Sequence, residues 1–71
     1  MTGGIDTGRQ AAFRKALAAL PRLQRIVYLL HAMDGLSYNE IGFRIGEDVC
    51  AVEANLAAAM KLLVRHMDEP G

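Results

Sequence analysis

Residues 37–48, SYNEIGFRIGED, restrict the backbone more tightly than any other stretch of the chain. Ser37 is a good helix N-cap, and Glu40 three places later can reach back to the Ser37 amide, which makes a capping box. Ile41 and Ile45 then lie one turn apart on a single face, with the side-chain-free Gly42 beside them. Gly46 supplies the left-handed conformation that ends helices, so this helix runs only about two to three turns. Asp48 at once offers a second N-cap, and Val49, Val52, Leu56, Met60 and Leu63 follow at helical spacing. The stretch 35–63 therefore predicts a short helix, a glycine turn and a longer helix with almost no slack, the helix-turn-helix arrangement.

The remainder of the chain adds two helices ahead of this pair. Residues 1–8 are rich in Gly and Thr and carry no apolar period, so a flexible N-terminal tail is expected there. From about Arg9, the residues Phe13, Ala16, Leu17 and Leu20 recur at i, i+3, i+4 and i+7, with Arg14 and Lys15 elsewhere on the wheel. Pro21 disfavours a helical Leu20 and suits the first position of a new helix. Leu23, Ile26, Val27, Leu30 and Met33 then form one stripe, widened by Tyr28 and Leu29, that stops at Gly35. The fourth helix is expected to reach about His66, with residues 68–71 as a C-terminal tail and 9–67 as the folded domain. The expected fold is all-α, a compact four-helix domain containing a helix-turn-helix.

Seventy-one residues allow one small domain, and eight Lys plus Arg against eight Asp plus Glu leave no net charge. The strongly basic balance of a free-standing nucleic-acid binder is missing, so any basic patch must be local. A single cysteine excludes an internal disulfide, and the N-terminus has no signal-like apolar segment, so a cytoplasmic setting is expected. No apolar run approaches the roughly 20 residues that span a bilayer.

With these elements in order, the run ALAALPRLQRIVYLLHAMDGLSYNEIGFRIG resembles region 4 of the sigma-70 family of bacterial RNA polymerase initiation factors, specifically the compact extracytoplasmic-function type. The features that carry the resemblance are the LP step before an Arg-containing amphipathic helix, the GLSYNEI capping segment, and the small residue at Gly42 where helices approach. It covers about 13–63. The resemblance implies a domain that meets promoter DNA with its last helix, binds a flap segment of the polymerase β subunit, and is often clamped by anti-sigma proteins. A whole sigma factor also needs an upstream core-binding region, so a fragment or a stand-alone sigma-like module is expected.

The last helix departs from that pattern. Direct base readout needs long donors and cations in its first turns, where the family usually has Arg, Lys, Ser or Thr. Here the aligned positions hold Ala51, Glu53, Ala54, Asn55, Ala57, Ala58 and Met60, preceded by Glu47 and Asp48. At 100° per residue, with Val52, Leu56, Ala59 and Leu63 inward, the opposite face presents Cys50, Ala54, Ala57, Ala58, Lys61 and Arg65. An apolar outer face points to burial against a partner chain. The partners expected are an anti-sigma protein, an RNA polymerase subunit or a second copy in a homodimer. A plainer reading is that alanine is simply the best helix former and the face is solvated. The alternative function is ordinary promoter binding, with Tyr38, Asn39, Arg44, Lys61 and Arg65 against DNA.

No chemistry beyond binding is expected. Cys50 near a helix start has no adjacent His or Lys to activate it, and it reads as a small semi-buried hydrophobe. His31 and His66 lack metal-ligand partners at the spacings zinc requires and read as surface or helix-end residues. Catalytic, metal, cofactor and small-molecule sites are all expected to be absent. Arg22 and Arg25 read as a solvated polar face or a contact to phosphate or an acidic partner.

Overall fold

The computed structural model describes residues 7–68. Four helices follow in order: α1 (Thr7–Ala19), α2 (Arg22–Ala32), α3 (Tyr38–Ile45) and α4 (Val49–Asp68). The tails expected at 1–8 and 68–71 lie mostly outside the described residues; α1 already includes Thr7 and Gly8.

Each junction has a local cause. Leu20 and Pro21 break the chain after α1, and Pro21 (φ −54°, ψ 149°) is the N-cap of α2 rather than its first helical residue. Arg25 donates from its guanidinium to the Ala18 carbonyl at 3.1 Å, tying the start of α2 to the end of α1. This exposed bond gives Arg25 a structural contact in addition to the solvated polar face expected from sequence. After α2, Gly35 (φ +68°) lets the chain reverse, and the Leu36 amide donates to the Leu30 carbonyl at 3.1 Å. The capping box forms as the sequence requires: the Ser37 amide donates to Glu40 Oε1 at 2.8 Å, and the Glu40 amide to Ser37 Oγ at 3.1 Å. Gly46 closes α3 in the left-handed region (φ +75°), and Asp48 Oδ1 accepts the Ala51 amide at 2.8 Å to cap α4.

The long helix α4 is the common wall of the core. Its first half, through Val52 and Leu56, packs with Val27 of α2 and Ile41 of α3. Its second half, through Ala59 and Leu63, packs with Ala16 and Leu20, with Phe13 and Leu17 alongside. Tyr28 touches both clusters and meets Phe13 edge-on at 6.2 Å between ring centres. Among the residues described, the eight fully buried hydrophobics are these inward positions. Fully burying a Val, Leu or Ile side chain contributes about 1.5–3 kcal/mol.

Three residues placed on apolar stripes by their spacing are not covered. Met33 falls beyond the end of α2 and is 75% exposed, while Val49 and Met60 are 37% and 46% exposed. A helix surrounded by only three others buries a narrower arc than its apolar period allows.

Gly42 is buried at the tightest approach in the fold. A Cβ built on it would stand 2.5 Å from the Glu47 carbonyl oxygen and 3.5 Å from Val52 Cγ2. The small residue is needed where the turn between α3 and α4 folds back over α3.

Candidate partner interface on the outer face of the last helix

The caps just described hold α3 and α4 in a fixed relation, so the side chains that face outward from the pair are rigidly presented. On α4, Ala54, Ala57, Lys61 and Arg65 are exposed, as their helical positions require, and Cys50, expected to be semi-buried, is exposed too because it lies on the side of the helix away from the core. Ala58 is half-buried and lines a shallow depression with Lys61, Leu62 and Arg65. Lys61 and Arg65, four residues apart, make the cationic end of this face.

The first three turns of α4 offer little to a base edge. Glu53, Ala54 and Ala57 project outward, and the one amide side chain is half-buried with one N–H engaged: Asn55 Nδ2 donates back to the Ala51 carbonyl at 2.8 Å. Asp48 caps the helix and Glu47 is exposed beside it. An acid at a helix start contributes about 0.3–1 kcal/mol to the helix, and the same charge repels a phosphate.

The residues considered for DNA contact are divided between two elements. Asn39 and Arg44 are exposed on α3, and both line a shallow depression with Leu36, Glu40 and Phe43. Tyr38 is half-buried against the second core cluster, and its ring lies 5.5 Å from that of His31. His31, expected at the surface or at a helix end, lies half-buried in the last turn of α2 and donates from Nδ1 to the Leu36 carbonyl at 3.2 Å. Both rings thus brace the loop that leads into α3. Among the described residues, no group of three or more His, Cys, Asp or Glu is placed to hold a metal, and no helix is long and apolar enough to cross a membrane.

Phe43 was not anticipated. It is 92% exposed on α3, beside Arg44. The signal was present in the spacing, because Phe43 lies about 200° around the helix from Ile41, directly away from the core.

In a comparison against known families, the family described as Sigma-70, region 4 matches residues 10–63 of this four-helix chain. The chain belongs to the sigma-70 region 4 family. Searches of curated proteins and of solved structures returned no significant match. Membership assigns this sigma region 4 domain to transcription initiation, in association with RNA polymerase, as a non-enzymatic module. The outward face of α4 carries few long polar side chains over its first turns and becomes cationic only at Lys61 and Arg65.

Proposed function

We propose that this sigma region 4 domain acts in transcription initiation or its regulation mainly through protein contacts, with the outer face of α4 turned to protein rather than to bases. The observation that carries the reading is the shortage of long donors on the exposed first turns of α4, where Glu53, Ala54 and Ala57 face out and the half-buried Asn55 spends one of its two amide N–H groups on its own helix. Direct readout needs bidentate donors at such positions. An apolar helix face instead gains by removal from water. The partner surface comprises Cys50, Ala54, Ala57, Ala58, Lys61 and Arg65, and the partner is an RNA polymerase subunit, an anti-sigma protein or a second copy.

A second reading has one specific support. Lys61 and Arg65 share a depression on α4, and Arg44 is exposed on α3, so three cations are available to phosphates, with Tyr38 and Asn39 at the start of α3. Three phosphate contacts give a slope of log K against log salt of about −3.

Co-purification from native cells, with identification of what co-elutes, separates the two readings when repeated with Ala54→Arg plus Ala57→Arg. Both positions are exposed, so the fold tolerates the change. RNA polymerase or an anti-sigma protein should co-elute with the natural chain and be lost from the variant. A complex that survives the variant, together with salt-dependent binding of duplex DNA, refutes the proposal.

A further inference from the structure

Helix α4 carries two seams, one apolar throughout and one apolar except at Glu53. One is the core seam Val52, Leu56, Ala59 and Leu63, all buried. The other consists of Cys50, Glu53, Ala57, Met60, Val64 and Met67, spaced alternately three and four residues apart, and every one of these is exposed. Met60 is 46%, Val64 60% and Met67 38% exposed, so the second seam holds large side chains as well as small ones. Alternating steps of three and four, with a mean period of 3.5, are the pattern by which one helix seats against another.

We infer that this second seam is a self-pairing surface, on which α4 of a second copy packs antiparallel about a two-fold axis near Ala57 and Met60. The inference goes beyond the protein-contact reading: the seam shares Cys50 and Ala57 with the face proposed above and continues along a neighbouring stripe through Met60, Val64 and Met67.

The charge distribution selects both the occupant and the direction. The acidic groups Glu47, Asp48 and Glu53 lie at the start of α4, and Lys61 and Arg65 lie toward its end. Beside Met67, a groove of about 420 Å³ is lined by Arg9, Gln10, Phe13 and Arg14 of α1. Antiparallel pairing places Ala57 opposite Met60, Glu53 opposite Val64 and Cys50 opposite Met67. Glu53 of one copy then lies over the turn that holds Lys61 and Arg65 of the other. The acidic start of that helix approaches the groove lined by Arg9 and Arg14. Two-fold symmetry makes each of these contacts twice. Parallel pairing would instead set Glu53 against Glu53 within the seam, a like-charge contact that disfavours that arrangement. The chain has zero formal net charge, so no long-range repulsion opposes association of two copies. At the centre, Ala57 admits close approach and Met60 of the other copy fills the space beside it.

The test uses the full chain under reducing conditions, with mass followed against concentration by sedimentation equilibrium. The natural chain should pass from monomer to dimer, and Val64→Glu should hold it monomeric with unchanged helix content. Glu53→Lys alone and Lys61→Glu alone should each raise the dimer dissociation constant about tenfold or more, and an equimolar mixture of the two chains should pair again. Orientation is read by oxidation. In the antiparallel register the two Cys50 residues lie about 26 Å apart along the helix, so the natural chain should not cross-link, whereas Met67→Cys should cross-link to Cys50 of the other copy.

A monomeric mass at every concentration up to about 1 mM overturns the self-pairing. In that case the protein-contact reading stands if Ala54→Arg plus Ala57→Arg still abolishes a complex with another protein, and it falls as well if that complex persists. Ready cross-linking of natural Cys50 to Cys50 overturns the antiparallel register.

Discussion

Replacing Gly42 with alanine tests the geometry on which the helix-turn-helix depends. The added Cβ would meet the Glu47 carbonyl oxygen at 2.5 Å, a distance real Cβ atoms essentially never show, and Val52 Cγ2 at 3.5 Å. The obstructing atom is backbone, so no rotamer change can relieve it. It is also held in place, because the Glu47 amide donates to the Gly42 carbonyl at 2.9 Å while Gly46 fixes the turn at φ +75°. Relief requires moving the turn away from α3, at an overpacking cost of about 1–3 kcal/mol. Loss of the Glu47 to Gly42 hydrogen bond adds about 1 kcal/mol, and the better helix propensity of alanine returns about 1 kcal/mol. The net destabilisation is about 1–3 kcal/mol, which for a domain of this size lowers Tm by roughly 4–24 °C. Thermal and urea unfolding followed by far-ultraviolet circular dichroism measures it, with Gly8→Ala as control, since a Cβ there meets nothing within 4 Å. A Gly42→Ala chain as stable as the natural one, or more stable, would refute the steric argument.

Two further outcomes follow from the caps and the core. The Glu40 carboxyl is held below its ordinary value of 4.5, first by the Ser37 amide, then by the Ser37 hydroxyl, with a smaller contribution from Arg44 and a partial opposing effect of desolvation. A carboxyl whose folded pKa is depressed contributes stability that is present above its unfolded value and lost as pH falls through the folded one. Unfolding midpoints should therefore decline below about pH 4.5 in the natural chain. They should decline less steeply in Glu40→Gln, and parallel pH curves for the two would contradict the assignment. Leu56→Ala opens a cavity between α2, α3 and α4 and should cost about 2–5 kcal/mol, enough to leave a domain of marginal stability largely unfolded at 37 °C. A fully folded, cooperative Leu56→Ala chain would show that the second cluster is not where the stability resides.

The parts of the structure that were legible in the sequence are those fixed by neighbours along the chain. Ser37 with Glu40, Gly46 and Asp48 each act within three residues of themselves, so the junctions at 37–48 follow from local rules and are found as expected. Val52, Leu56 and Leu63 were legible as the inward face because one helical period locates its centre. The width of that face was not. Met33, Val49 and Met60 sit at its edges, and whether an edge is covered depends on how many helices pack there, which periodicity does not encode. The same limit hid the second seam at Met60, Val64 and Met67, since a wide apolar arc looks the same whether it serves one contact or two. Long-range polar pairing was also illegible: Arg25 reaching Ala18, and His31 reaching Leu36, depend on where loops bring carbonyls. Asn55 is a different case, because a bond to its own preceding turn is local and was available to be read.

The division of the core carries a consequence for how the domain opens. Two clusters line up along α4 and, among the described residues, share a single side chain, Tyr28, so the core resembles two rooms with one door rather than one hall. The room that holds α1 is walled by two alanines and two leucines, Ala16, Ala59, Leu20 and Leu63, whereas the other is filled by Val27, Ile41, Val52 and Leu56. Backbone amides report such differences directly, since segments with less buried apolar contact exchange through smaller openings. The amides of α1 should therefore exchange before those of the helix-turn-helix, making the capped pair the last part to let go, and equal protection of the two would refute this order of opening.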